Sequence, residues 1–198
     1  MIGKHLRPAI VLTVLLCAIT GLVYPGVVTA LAQLLFPRQA NGSLITVNGK
    51  VVGSELIGQT FTAPYYFHSR PSAAGNGYDA TASGGTNKGP TDRKLADTLI
   101  AQAVDSVVKN DGATKGRIPS DLVTSSASGL DPHISPASAA LQVARVARER
   151  GADPRAVQAL VDRHTEGRQF GFLGDPRVNV LLLNLAVDSA FPRTSTTR

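Results

Sequence analysis

Residues 8–36, PAIVLTVLLCAITGLVYPGVVTALAQLLF, carry no charged side chain. An α-helix rises roughly 1.5 Å per residue and the hydrocarbon core of a bilayer is about 30 Å thick, so a run of this length can cross a membrane with turns to spare. Lys4, His5 and Arg7 precede it, and Arg38 alone follows closely. By the positive-inside rule this asymmetry predicts a cytoplasmic N-terminus over 1–7, a transmembrane helix over 8–36 and an extracytoplasmic location for the remainder. A cleaved secretory leader also fits the basic start, the apolar run and the small-x-small pattern of Ala30-Leu31-Ala32. Against cleavage, the apolar run resumes as Leu34-Leu35-Phe36 beyond that point and exceeds the usual length of a leader core. A lipid-bearing Cys17 is disfavoured by the bulky Leu16 before it. Inside the span Pro25 removes a backbone donor and predicts a kink. Gly21 and Gly26 admit a neighbouring helix, although their spacing is not G-x-x-x-G.

Cys17 is the only cysteine of the 198 residues. Because it lies within the span, the rest of the chain has no disulfide and no thiolate metal site, and must be held by packing. The formal charge of +6 is spread along the chain, with Arg interspersed among Asp and Glu, and Trp is absent. A basic stripe interleaved with aromatics is missing, which argues against nucleic acid as a partner. Membrane lipid or an acidic protein surface is what a mildly basic outer domain would face.

Residues 37–192 are expected to form a single extracytoplasmic domain. In 44-LITVNGKVVGS-54 the alternation around Asn48-Gly49 is the signal for a two-residue hairpin turn. Residues 55–90 are rich in Gly, Ser and Pro, with Phe61, Tyr65, Tyr66, Phe67 and Tyr78 as anchors for a long irregular segment of the kind that carries function. A helix is predicted over 91–112, with Leu95, Leu99, Ala103 and Val107 on one face and Gly112 as its stop. Ser135-Pro136 opens a second helix that runs to Arg150 before Gly151. Asp153-Pro154 opens a third, ending at Gly167, with Val157, Leu160, Val161 and His164 on a face. Residues 178–188, VNVLLLNLAVD, fit either a buried strand or a helix, and Asp175-Pro176 together with Asn184 favours helix. Residues 193–198 read as a loose tail. The fold class is therefore α+β: one transmembrane helix, then a domain with a small β-hairpin or sheet and about four helices.

Chemistry-bearing clusters are few. In 83-SGGTNKGPT-91 glycines, hydroxyls and a lysine are packed as tightly as in a phosphate cradle, but Lys88 precedes Gly89 and Pro90 removes a donor, so the order of a P-loop is not met. A tight loop shaped by Gly84, Gly85 and Asn87, with Pro90-Thr91 setting a helix start at Asp92, accounts for the same residues. His133 and Asp131 in DPHIS, with His164 and Glu166 in HTEGR, carry the nitrogen and oxygen ligands of a metal site. Neither pair has the i, i+4 spacing of H-E-x-x-H. A turn fixed by Asp131 and His133, and a helix end closed by His164, explain them without a metal. No G-x-S-x-G nucleophile turn is present. The segment 69-SRPSAAGNGYD-79 reads as a loop held in shape by Arg70, Asn76, Tyr78 and Asp79.

Taken in order, one N-terminal span followed by FHSRPSAAGNGYD, SGGTNKGPT, DLVTSSASGLDPHIS, QVARVARERG, HTEGR and LGDPRVNVLLLNLAVD resembles the C subunit of the bacterial potassium-transporting ATPase, the KdpC family. The resemblance covers nearly the whole chain. Thr86 stands where the family more often has Ser, and Asp175 where it often has Glu; both keep the chemical group. The resemblance implies an inner-membrane complex that carries potassium, with a channel-like potassium-binding A subunit, a P-type ATPase B subunit that holds the catalysis, and a very small F subunit. It implies that Ser69, Arg70, Pro71, Tyr78, Asp79, Asn87, Pro90, Asp131, His133, His164, Glu166, Arg168 and Asn179 are structural or contact residues, and that the chain has no cofactor of its own. It also brings an alternative, a catalytic chaperone that raises the ATP affinity of the ATPase subunit, with Ser83, Gly84, Gly85 and Gln142 as nucleotide contacts.

Overall fold

The structure, a computed structural model, describes residues 2–193. It divides into two compact units, one ending at Val52 and one beginning at Gly53. In the first, α1 (Ile2–Ala18) continues through a π-helical turn, Ile19–Val23, into α2 (Tyr24–Leu35). Gly3–Leu35 is 33 residues long and apolar enough to cross a membrane, and among the described residues it is the one helix that is. Pro25 cannot donate to Gly21, and the turn before it widens so that the Tyr24 N–H reaches back five residues to the Ile19 carbonyl. The expected kink site is thus a π-bulge, the usual device where a helix must pass a missing bond. A short α3 (Pro37–Ala40) leads to the strands β1 (Leu44–Val47) and β2 (Lys50–Ser54). Asn48 and Gly49 between them have φ of 50° and 75°, both positive as a type I′ turn requires.

Among its described residues the second unit has four α-helices and a small three-stranded sheet. Its outlying helix begins as a π-helical stretch, Lys94–Ile100, and continues as α4 (Ala101–Asp111), stopped by Gly112 at φ 67°. After β3 (His133–Ile134) come α5 (Pro136–Arg150), α6 (Pro154–Arg163), β4 (Thr165–Glu166), β5 (Arg177–Asn179) and α7 (Val180–Ala190). The sheet order is β3-β5-β4, antiparallel throughout, with Ile134 and Thr165 both opposite Val178. The starts of α5, α6 and α7 are each made by a side chain that satisfies an orphan N–H. Ser135 Oγ accepts from Ser138 N at 3.1 Å, Asp153 Oδ1 from Arg155 N at 2.8 Å, and Asn179 Oδ1 from Leu182 N at 3.1 Å.

The core joins Val143, Val146 and Ala147 of α5, Val157 and Val161 of α6, Val180, Leu183 and Val187 of α7, Ile134 and Val178 of the sheet, and Phe67 from the irregular segment. Each of these side chains larger than alanine contributes about 1.5–3 kcal/mol by leaving water. Arg150, whose side chain is wholly buried, closes the far side of this core. It pairs with Asp188 at 2.6 Å, donates to the carbonyl oxygens of Tyr65 and Phe191, and lies against the Tyr65 and Tyr66 rings.

Three expectations change. The third helix stops at Arg163 and not at Gly167, because the His164 ring Nδ1 and the Thr165 hydroxyl turn back onto the carbonyl oxygens of Leu160 and Val161, after which Thr165 pairs with β5. Residues 178–188 are neither strand nor helix alone: Val178 and Asn179 end β5, and Asn179 caps α7. The helix over 94–111 has no buried residue, and Leu99 is 37% exposed. In i→i+5 turns residues four apart no longer stack, so Leu95 and Leu99 do not continue the face of Ala103 and Val107. The tail expected at 193–198 lies, apart from Arg193, outside the described residues; the Arg193 guanidinium sits 3.9 Å from the centre of the Tyr65 ring.

Candidate functional site

Three of the motif loops meet at one point. Ser72 Oγ donates to the Gly129 carbonyl at 2.6 Å and accepts from Tyr78 N at 2.8 Å and Ala74 N at 3.2 Å. Tyr78 takes a left-handed φ of 56°, which folds its ring back so that the hydroxyl donates to the Arg70 carbonyl at 2.9 Å. Burial in this fold-back pushes its phenol up to about 12. The third strand of the knot is SGGT: Gly84 N and Ser83 Oγ both donate to the Ser128 carbonyl, at 2.9 and 3.0 Å. Gly129, at φ 67°, is the keystone, since a Cβ there would stand 2.6 Å from the Gly84 carbonyl oxygen and 2.7 Å from Ala74 N. Gly58 is similarly confined: its N–H donates to the Leu130 carbonyl, and a Cβ would press into the Tyr78 ring.

Asp131 joins this knot to the sheet. Its Oδ2 meets Arg70 Nη1 at 2.8 Å, and its Oδ1 accepts from His133 N at 3.0 Å. Partial burial alone would raise its pKa, but the hydrogen bonds from His133 and the adjacent Arg70 guanidinium outweigh burial and hold it below the usual carboxylate range. Ser69 Oγ donates to Gln59 O. Asp79 Oδ1 accepts from the N–H and hydroxyl of Thr81, which depresses its pKa. Neighbouring Asp121 takes the hydroxyls of Ser135 and Ser138 and the Ser135 N–H.

In SGGTNKGPT the positive φ falls on Asn87, at 53°, and not on Gly84 or Gly85. The two glycines differ: Gly84 has nothing within 4 Å of a would-be Cβ, whereas at Gly85 the Ala127 carbonyl oxygen would lie 3.0 Å away. Gly85 is thus required by close approach of two backbones. Lys88 Nζ is 2.8 Å from Asp92 Oδ2, and Asp92 Oδ1 accepts from Leu95 N, so the lysine steadies the cap of the helix it precedes. Pro90 occupies the turn closed by Asp92 N to the Gly89 carbonyl. Gly85, Thr86, Asn87 and Lys88 face Ser125, Ser126 and Ala127 across a cleft of about 400 Å³.

Gln142 belongs elsewhere. It lies on α5, 1% exposed, where Oε1 accepts from His68 N and from Arg145 Nη2 at 2.7 Å, and Nε2 donates to the carbonyls of His68 and Ser138. Arg145 in turn makes a buried ion pair with Asp111 at 2.7 Å and donates to the carbonyls of Pro64 and Tyr66. This spine borders a cavity of about 360 Å³ lined by Phe61, His68, Arg70, Val107 and Asp111, with Pro71 also on its wall. Burial, followed by the nearby Arg145, drives the His68 imidazole pKa below its ordinary value. Gln142 and Gly85 therefore border different cavities.

The two halves of the metal-type cluster come to one sheet but to opposite outer strands, His133 on β3 and Glu166 on β4, with β5 between. Glu166 pairs with Arg177 at 2.9 Å, His164 Nδ1 is 2.9 Å from the Leu160 carbonyl, and Arg168 meets Asp175 at 3.1 Å. Asn179 Nδ2 donates to the Glu55 carbonyl. Among the described residues no group of three or more His, Cys, Asp or Glu is placed to hold a metal. Sequence reasoning missed Gly129, Gly58, Asp121 and the Asp111–Arg145 pair. Only Gly129, between small residues in SSASGLD, carried a signal that could have been used.

An α+β domain behind one span-length apolar helix, with its polar motifs tied to one another, has the build of a chain held at a membrane by a single helix. The sequence pattern of one family, KdpC: K+-transporting ATPase, c chain, matches residues 6–189. Potassium-transporting ATPase KdpC subunits are also similar over the full chain: that of Gemmatimonas aurantiaca is 67% identical across 94% of this chain and 93% of its own length. Those of Koribacter versatilis and Methylococcus capsulatus are 56% and 57% identical, covering 96% and 94% of this chain and 96% and 98% of their own lengths. The chain belongs to the KdpC family and is a subunit of the potassium-transporting ATPase complex, whose other subunits are its partners.

Proposed function

We propose that the chain is a non-catalytic assembly subunit, held in the bacterial inner membrane by residues 8–36 with residues 1–7 cytoplasmic, whose extracytoplasmic domain docks on the channel-like potassium-binding A subunit beside the ATPase B subunit and the small F subunit. Potassium is cargo of the complex, and the chain holds no cofactor of its own. The observation that carries this reading is the bonding of the motif residues: Arg70, Ser72, Tyr78, Ser83, Asp131 and Gln142 are all engaged by backbone or side chains of their own domain, as a rigid docking body needs. The test is removal of residues 1–36. Loss of the chain from the purified complex and of potassium uptake is expected; a truncated chain that still assembles and supports normal uptake overturns the anchoring role.

The nucleotide reading gains one observation, the cleft between Gly85–Lys88 and Ser125–Ala127. Two others weigh against it: Lys88 is engaged by Asp92, and Gln142 is buried at a different cavity. Lys88→Ala decides between them. Potassium-stimulated ATP hydrolysis by the complex should keep its half-saturating ATP concentration, and a large rise with assembly intact would favour nucleotide binding.

A further inference from the structure

Between β4 and β5 the chain makes a small hairpin whose tip is apolar and turned to solvent. Phe170 is 80% exposed, Phe172 70% and Leu173 47%, the most exposed aromatic pair of the second unit's described residues. The tip is not loose. Gln169 and Leu173 bridge across it, and its base is clamped by Arg168–Asp175 at 3.1 Å and Arg177–Glu166 at 2.9 Å. Phe170 is held at φ 54° and Gly171 at 81°, so a bulky residue occupies the left-handed region to keep its ring outward. Two exposed phenylalanines on a braced turn cost solubility and strain without return inside this domain. We propose that Phe170 and Phe172 form a wedge that inserts into an apolar cleft on another subunit of the ATPase complex.

Two features on the surface itself select that occupant. Charges from Thr165 to Arg177 balance, with Glu166 and Asp175 against Arg168 and Arg177. A site for anionic lipid would instead gather several unpaired Lys or Arg. The three side chains offer roughly 300–400 Å², less than half of the about 800 Å² per partner that a stable interface between two free proteins takes. A second copy of this chain is not held by so little. A subunit already confined to one complex is, because confinement raises effective concentration and a buried aromatic anchor then carries a disproportionate share of the contact. The wedge requires membership of the complex but not docking on the potassium-conducting subunit in particular.

The test uses the whole complex with a photoreactive phenylalanine analogue in place of Phe172, and separately with Phe170→Ser and Phe172→Ser together. Irradiation should join this chain to one other subunit, and the double variant should leave the complex on the order of tenfold faster on dilution. Cross-links to the potassium-conducting subunit uphold both this wedge and the docking reading. Cross-links to the ATPase or the small subunit uphold the wedge and show that this tip is not the face that docks on the potassium-conducting subunit. Cross-links only to lipid or to a second copy, or no cross-link with retention unchanged, overturn the wedge and leave the docking reading standing. The isolated full chain carrying the double variant should unfold at the same urea concentration as the parent; a marked drop would show the rings to be internal packing and overturn the proposal.

Discussion

Gly129 lies so close to Gly84 that a single methyl carbon on it would stand 2.6 Å from the Gly84 carbonyl oxygen. Two loops separated by a long excursion of chain are thus in backbone contact, and a third, carrying Ser72, is bonded to the same Gly129. The same Ser72 hydroxyl accepts from Tyr78 N, whose side chain in turn donates to the Arg70 carbonyl.

Gly129→Ala should destabilise the chain by about 2–4 kcal/mol, combining a disfavoured left-handed conformation with a clash that neither backbone can relieve. Gly84→Ala, with open space around it, should change stability by less than about 0.5 kcal/mol. Urea unfolding of the detergent-solubilised chain measures both. Equal effects would show that the loops do not meet as described.

Arg145 and Asp111 are 2% and 4% exposed at the side chain, so removing one partner strands the other's charge. Arg145→Met should cost about 3–5 kcal/mol. Adding Asp111→Leu should recover part of that, and only part, since the carbonyls of Pro64 and Tyr66 lose their donor as well. A double-mutant cycle reads the coupling.

His68 is held neutral in the fold, its pKa below the ordinary 6.5. As pH falls through about 6.5 the unfolded chain takes up its proton first, so stability should decline on acidification from that point until the folded-state value is passed. At higher pH the histidine is neutral in both states and contributes no slope. In His68→Gln the stability profile between pH 7 and 5 should be flatter, to about the extent of one proton.

Asp131 behaves as a carboxylate with a depressed folded pKa. Its ion pair and hydrogen bonds stabilise the fold above the unfolded value of 3.8 and are lost as pH drops through the folded value. Being 28% exposed, it should cost only about 1 kcal/mol at neutral pH as Asp131→Asn, with the difference vanishing in strong acid. A difference that persists in acid would point to shape and not charge.

Local rules made the helix starts legible. Ser135-Pro136 and Gly151 bracket α5 as read, and Asn48-Gly49 turns the hairpin, because caps and tight turns depend on a few adjacent residues. The sheet was not legible, since β3, β4 and β5 have two or three residues each and take their register from partners 11 to 46 positions away. The glycines of SGGT misled for the same reason: the constraint on Gly85 is Ala127, which no local pattern reveals. Recognition of the motif order supplied the family, whereas the pairing of Asp111 with Arg145 needed the folded coordinates.

The close approach of Gly85 to Ala127 also makes the chain between them an excursion that leaves and returns through one gate and is tied down by Asp111 and Asp121. Lengthening such a loop adds only a slowly growing entropy, about 0.6 kcal/mol for each doubling. Within it lies an exposed turn at Lys115-Gly116, with Gly116 at φ 87°. A small tag inserted there would ride on the subunit without entering its knot, giving the ATPase complex an optical handle on this chain alone.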